Sequence, residues 1–366
     1  MAKIAVDARP LSAPTTGIGR YTYALLEKMF NSEHEWYLYS HQPLQVNVPE
    51  GENVKVRTGS VRKSALGSVF AQLKYPYWAK KDAVDLFWSP RHHLPVFLKG
   101  SCPTVVTVHD MVWRAYPETM AKAGLYLEQL LMPRALRQAE AVICVSESTR
   151  QDVQHYFPDT GHKLHVVPEA PFLPANGHIS GLGEYFLFVG TLEPRKNLRN
   201  LLHAFRLYTR AVDSPLPLKI CGGKGWGLPE IEGILAELDI EPYVEVLGYV
   251  SDRELKHLYR EARALVMPSL YEGFGLPIVE AYSQGTPVIT SDRGAMREIA
   301  GDLGVLVDPE SPADIAGAFQ TMTCQRELVA RLKKDVITYV EKFDWRVAAQ
   351  KTIDVMESAI SSSDEK

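Results

Sequence analysis

Only four of the 366 residues are cysteine, and Cys102, Cys144, Cys221 and Cys324 stand far apart with no C-x-x-C pair among them. A disulfide framework or a zinc ribbon is thereby excluded, and Cys144 and Cys221, each inside an apolar run, read as reduced core residues. No stretch reaches the roughly 18 consecutive apolar residues that a membrane-spanning helix requires. The opening MAKIAVDA passes from one lysine straight into a strand-like run, without the apolar segment or cleavage site of a secretory signal, so the expected compartment is the cytoplasm. Basic blocks are absent too: 40 Lys and Arg face 44 Asp and Glu, a net charge of −4, which offers a nucleic acid no general attraction. There is no G-x-S-x-G elbow for a serine hydrolase. GGKGWG at 222–227 fails as a phosphate loop, with Leu218 where the first glycine belongs and Gly225 in place of the magnesium-binding hydroxyl. The pair His92-His93 lacks the i, i+4 spacing of a zinc site, and no obligatory metal is expected.

What the chain does have is a globular composition, 46% hydrophobic and 23% charged, over a length suited to two domains. Short runs of Val, Ile, Leu and aromatics alternate with helical patterns, the signature of parallel sheet covered by helices. In the front half Lys3–Ala8, Trp36–Ser40, Val84–Ser89, Thr104–His109 and Ala141–Ser146 predict strands, and Gly19–Phe30 and Leu125–Ala139 predict helices. A Pro- and Gly-dense stretch around Val167 to Tyr185 has no periodicity and reads as a linker. Beyond it strands are predicted at Tyr185–Gly190, Leu216–Gly222, Val244–Gly248, Ala264–Pro268, Pro287–Ser291 and Val305–Asp308, with helices at Leu198–Ala211 and Leu255–Ala262. Through Glu169 there are 19 basic and 16 acidic residues, against 21 and 28 beyond it. The positive front half suits an anionic membrane surface, and Lys74–Lys81 (KYPYWAKK), with Tyr75, Tyr77 and Trp78, has the make-up of an interfacial anchor.

In open parallel sheets, ligands gather beyond the carboxyl ends of the strands. The densest signal there is PSLYEGFGLPIVEAYSQGTPVI, residues 268–289. A strand ends at Pro268, a turn Glu272-Gly273-Phe274-Gly275 follows, and Leu276-Pro277 opens a helix. The glycines admit close backbone approach, and the helix start adds positive dipole character, so the turn suits an anion or a ring of hydroxyls. Glu280 sits one turn into that helix between apolar neighbours and needs a partner, which sugar or ribose hydroxyls can supply.

This E-x7-E arrangement within EGFGLPIVEA resembles the nucleotide-sugar site of retaining glycosyltransferases of the large GT-B group, family 4. The likeness is strongest over residues 185–310 and continues in order through the front half. It implies two Rossmann-like parallel-sheet domains facing across a cleft: an acceptor-binding domain at 1–168, a linker at 169–184, a nucleotide-sugar-binding domain at 185–344, and a C-terminal helix at 345–366 returning to the first domain. Of that last piece, Trp345–Ile360 is the expected helix and SSSDEK a frayed tail. In VGTLEPRKNL, Arg195 and Lys196 would hold the diphosphate, and Thr191 stands where family members often carry a further arginine. Glu280 would take the ribose, Tyr249 and Val250 the base, and Lys224 would border the pocket. Glu272 with the Gly273, Phe274, Gly275 and Leu276 backbone would orient the sugar. His109 occupies the place of the family's histidine near the transferred sugar, with Asp110 as its expected orienter. Gly17 and Gly19 resemble the family's flexible glycine loop, and with Arg20, Arg91 and His92 they mark the acceptor side.

The absence of a D-x-D triplet argues against the metal-dependent single-domain transferases. SPRHHLP, TVHDM and GTLEPRKN look most like bacterial mannosyltransferases of O-antigen and other surface polysaccharides, so GDP-mannose is the expected donor, with UDP-, dTDP- and ADP-sugars as alternatives. The implied acceptor is a saccharide or polyprenyl-linked saccharide, the implied location the cytoplasm or the inner face of the membrane. No tightly bound cofactor is implied. Two readings from other classes stand beside this one: an NAD(P)-dependent oxidoreductase using Gly17-Ile18-Gly19, weakened by Thr22 at the third glycine position, and a non-catalytic nucleotide-sugar-binding protein.

Overall fold

The computed structural model describes residues 1–13, 17–49, 51, 53–61, 64–175, 181–223, 225 and 231–364. The chain parts into two compact units. One comprises Met1–Trp113, Lys122–Glu169 and the chain from Asp344 onward; the other comprises Arg114–Ala121 and Ala170–Phe343.

The first unit is built on a parallel sheet of β1 (Lys3–Asp7), β2 (Glu35–Ser40), β3 (Val54–Thr58), β4 (Leu86–Ser89), β5 (Thr104–Val108), β6 (Ala141–Cys144) and β7 (Leu164–Val166), in the order β3-β2-β1-β4-β5-β6-β7. The central strands are buried on both faces, as their unbroken apolar runs require. The sequence reading lacked β3 and β7, and both are edges. β3 alternates buried Val54 with exposed neighbours, and β7 has three half-buried residues, so neither carries an apolar run.

Three successive connections, the helix Ser64–Asp82, the turn Val96–Leu98 and the helix Lys122–Gln138, run in the same direction along the sheet from β3 to β6. Right-handed crossover therefore sets them side by side on one face. The helix Gly17–Met29 joins β1 to β2 in the opposite direction and covers the other face, where the last helix, Trp345–Asp364, packs against it. The Trp345 ring meets Tyr21 at 5.9 Å, and His34 Nε2 lies 3.2 Å from Glu357. The expected frayed tail is instead helical through Asp364, with Ser361 and Ser362 hydroxyls donating to carbonyls four residues back. Gly17 and Gly19, expected in a flexible loop, form the first turn of their helix, and Gly19 is buried.

The second sheet comprises β8 (Tyr185–Val189), β9 (Leu218–Cys221), β10 (Val244–Gly248), β11 (Ala262–Met267), β12 (Val288–Ser291) and β13 (Val305–Val307), all parallel, in the order β10-β9-β8-β11-β12-β13. Leu198, Leu201, Leu202, Phe205 and Tyr208 recur at helical spacing along the helix Leu198–Ala211 and are fully buried. They meet Phe186 of β8 and Phe319, whose rings stand edge to face at 4.6 Å. The helix expected at Leu255–Ala262 runs Asp252–Glu261, because Ser251 and Glu254 form a capping box that starts it a turn earlier. No helix of the described residues is long and apolar enough to cross a membrane.

Candidate functional site

In the second sheet the chain runs outward from β8 through β9 to β10, then returns to place β11 on β8's other side. The carboxyl ends of β8 and β11 therefore flank the switch point where a doubly wound sheet leaves a crevice. Beyond β8 lies a short turn, Pro194–Lys196, closed by Asn197 in the left-handed region at φ 60°. The Asn197 amide donates to the carbonyls of Pro268 (3.0 Å) and Pro309 (2.6 Å), and the Leu270 N–H donates to the Arg195 carbonyl at 2.8 Å. Those bonds hold the loop after β8 against the loops after β11 and β13. Glu272 is the result of that contact: its two carboxylate oxygens accept from Arg195 Nη1 and Lys196 Nζ, each at 2.5 Å. Arg195 also reaches Glu193, 3.2 Å from its Nε. Burial alone would raise the Glu272 carboxyl, but the two cations outweigh it and hold the group down to about 2.

Immediately after Glu272, Gly275 takes φ 101° and caps the helix Leu276–Ser283, with the Ile278 N–H closing on its carbonyl at 2.9 Å. A side chain there would be strained by the backbone and would press on Ile278. Glu280, expected to await a hydroxyl, already accepts one: the buried Tyr259 hydroxyl lies 3.2 Å away. The Phe274 side chain is core, its ring edge-on to Phe343 at 5.8 Å, so its backbone alone is left for a ligand. Thr191 is exposed, and so is Tyr249, at 85%. Val250 lines a cavity of about 370 Å³ with Leu247, Arg253 and His257. Lys224 lies outside the described residues.

In the first unit, His109 stands directly beyond β5. Its Nε2 lies 2.9 Å from the Pro90 carbonyl, which can only accept, so Nε2 bears a hydrogen; its Nδ1 lies 3.1 Å from Glu169, a bond that takes one further hydrogen between the two groups. The Tyr21 ring meets the imidazole edge to face at 4.7 Å. Glu169, not Asp110, is thus the orienting carboxylate; Asp110 Oδ1 accepts from the Val112 N–H at 3.1 Å and shapes the turn. Glu169 follows the unrecognised strand β7, and the rule that inspects residues just after strands would have found it had β7 been seen. His92 Nε2 accepts the His109 backbone N–H at 3.0 Å, and both His92 and His93 lean on Glu128. Burial would raise the Glu128 carboxyl, yet the paired imidazoles hold it well below the usual carboxylate range. Arg91 lines a cavity of about 530 Å³ with Arg9, Ser12 and His41 at the carboxyl ends of β1, β2 and β4, the switch point of the first sheet. Arg20 lies on the first turn of the Gly17–Met29 helix, half-buried. Among the described residues no group of three or more His, Cys, Asp or Glu side chains is placed to hold a metal ion.

Residues 15–170 match the family described as Glycosyltransferase Family 4, and residues 174–338 match Glycosyl transferases group 1. O-antigen chain mannosyltransferase B of Escherichia coli is 29% identical over 96% of this chain and 98% of its own. MMP alpha-(1->4)-mannosyltransferase of Mycolicibacterium hassiacum is 30% identical over 72% of this chain and 67% of its own. Among solved structures, sucrose-phosphate synthase of Thermosynechococcus elongatus superposes with a TM-score of 0.78 at 18% identity, covering 99% of this chain and 100% of that one. Anabaena HepE in complex with UDP-glucose gives 0.72 at 18% identity, over 98% and 100%.

Proposed function

Since the chain belongs to the group 1, family 4 glycosyltransferases, we propose that it transfers a hexose, with retention of anomeric configuration, from a nucleotide-sugar to a saccharide acceptor in surface polysaccharide synthesis. The observation that carries this reading is the convergence of Arg195 and Lys196 on Glu272 beside the Gly273–Gly275 turn. Glycosyl transfer puts growing negative charge on the departing diphosphate, and a guanidinium and an ammonium already fixed in place stabilise that charge without reorganising. The bond between the anomeric carbon and the phosphate oxygen breaks, the acceptor oxygen bonds to that carbon on the same face, and the departing phosphate takes the acceptor's proton. No side chain serves as nucleophile.

With Glu193 and Glu272 balancing Arg195 and Lys196, the resting cluster is neutral as paired. Glu272 in this account positions the two cations and, with the backbone of Gly273, Phe274, Gly275 and Leu276, orients the sugar. Glu280 takes the ribose, Tyr249 and Val250 the base. Arg20 and Arg91 meet the acceptor, while His109 and His92, their ring nitrogens already engaged, and the helix start at Gly17 and Gly19 shape that side of the site. The names of the mannosyltransferase relatives support mannose as the sugar transferred; on this reading GDP-mannose is the donor and a lipid-linked saccharide the acceptor.

Calorimetric titration with GDP, UDP, dTDP, ADP and NAD tests the reading. One nucleoside diphosphate, GDP on the favoured assignment, binds selectively, and Lys196→Ala weakens it at least tenfold while leaving the free nucleoside unaffected. Glu272→Ala then reduces sugar transfer far more than it reduces nucleotide affinity. Binding of NAD alone would overturn the transferase site and return Gly17-Ile18-Gly19 to consideration.

A further inference from the structure

The layer formed by Ser64–Asp82, Val96–Leu98 and Lys122–Gln138 carries, on its outer side, more than half of the large apolar side chains exposed among the described residues. Leu66, Val69, Leu73 and Tyr77 recur at i, i+3, i+7 and i+11 and so form one stripe along the first helix, with Leu73 62% and Tyr77 60% exposed. Phe97, 65% exposed, projects from the turn, and Tyr126 and Leu130 stand one helical turn apart on the second helix. Hydrogen bonds fasten the turn to both helices. Gln72 donates to the Leu94 carbonyl at 3.3 Å and accepts the Val96 N–H at 2.7 Å, and Gln138 donates to the Pro95 carbonyl at 3.1 Å. The three apolar groups therefore share one surface.

Its charges are of one sign. Lys74, Lys80, Lys81, Lys122, Arg134 and Arg137 are exposed, whereas the two carboxylates these elements hold, Asp82 and Glu128, are turned inward onto Arg57 and onto His92 and His93. The stretch Lys74–Lys81, read from the sequence as an anchor, is split by this geometry. Tyr75 is buried with its hydroxyl on the Tyr39 carbonyl at 2.9 Å, and Trp78 packs against Tyr39 and Phe70. The lysines and Tyr77 face outward, with Lys74 Nζ 6.0 Å above the Tyr77 ring.

A second copy of this chain is a poor occupant, because a two-fold contact through the patch would set lysine against lysine. An anionic bilayer satisfies both features, receiving the apolar side chains at the acyl boundary and the cations among its headgroups. We propose that this layer seats the protein on a membrane surface rich in anionic lipid, with Leu73, Tyr77, Phe97 and Tyr126 entering the interface. Its purpose rests on the reading of a lipid-linked acceptor, but none of its residues belongs to the proposed donor site.

Flotation of the full chain with vesicles tests the proposal. Wild type is expected to float with phosphatidylcholine vesicles containing phosphatidylglycerol, to remain behind with phosphatidylcholine alone, and to dissociate as salt is raised. The double variant Leu73→Glu, Phe97→Glu should lower partitioning at least tenfold, and replacing Lys74, Lys80 and Lys81 by Gln should lower it while flattening the salt dependence. Leu207→Glu, an exposed apolar position on the other unit, should change nothing. Unaltered circular dichroism and thermal unfolding of each variant certify the fold, and nucleoside diphosphate titration, which reads the other unit, succeeds or fails independently of flotation. The proposal is overturned if wild type does not float with the anionic vesicles, or if the Leu73, Phe97 variant floats equally well. It is overturned in favour of a contact between copies if wild type fails to float and sediments as a dimer that the variant dissociates.

Discussion

Asn197 does two things at once: its left-handed backbone turns the chain after Lys196, and its amide satisfies two carbonyls on other loops. Asn197→Gly keeps the turn but removes the Pro268 carbonyl's side-chain donor and leaves the Pro309 carbonyl with the Asn200 amide alone, and should lower stability by about 1–3 kcal/mol. In activity it should lower kcat more than it raises KM, because the cations stay present but lose their fixed placement. Equal unfolding curves for variant and wild type would sink this account. Glu272 gives a second prediction, in acid. Its folded carboxyl is held at about 2 against an ordinary value of 4.5, so the stability it contributes is fully present above about pH 4.5 and is lost as pH falls toward 2. Glu272→Gln should unfold more easily at neutral pH by about 3 kcal/mol, since the buried Lys196 loses its carboxylate and the half-buried Arg195 is left with Glu193 alone, and should show a smaller loss on acidification. Urea titrations at several pH values read both effects.

At the scale of elements, legibility followed burial. Helix Leu198–Ala211 was readable to the residue because one face alternates cleanly with the other, and β5 and β6 because they are buried on both sides. Helix Ser64–Asp82 escaped notice because it is apolar on two faces, one turned to the sheet and one to solvent, and carries Pro76. In the site, the glycine turn and the neighbouring Arg195 and Lys196 were legible as local spacing. Glu169, Tyr259 and Asn197 were not, because each acts through a contact made by topology rather than by sequence proximity. The turn before helix Leu276–Ser283 is testable at this scale. Gly275→Ala should lower stability by about 1–2 kcal/mol through its positive φ and the contact with Ile278. A variant as stable as wild type would mean the turn has another conformation within easy reach.

For the whole molecule, Lys333 sets a second pH dependence, of the same slope as that of Glu272 but in alkali, and it is a penalty where Glu272 contributes stability. It is 1% exposed and donates to the Ala262 carbonyl at 3.2 Å; burial lowers its ammonium to about 8, with Glu261 opposing and Arg263 adding to the shift. The unfolded chain holds that proton up to its ordinary 10.5, so stability should rise as pH climbs from about 8 toward 10.5, and below 8 the full penalty is felt. Lys333→Met should stabilise the protein at pH 7 by on the order of 2 kcal/mol and flatten that rise, as measured by thermal unfolding across the range.

The first unit includes the beginning, the middle and the last helix of the described chain, whereas the second, apart from Arg114–Ala121, is one uninterrupted run ending at Phe343. Synthesis proceeds from the amino end, so the unit begun first is finished last. Until Trp345–Asp364 emerges from the ribosome, the Gly17–Met29 helix lacks its neighbour and Tyr21 lacks the Trp345 ring. A nascent chain stopped at Phe343 would hold a finished second unit and an unfinished first one, and premature termination there should yield a protein that chaperones and proteases recognise at its amino-terminal half.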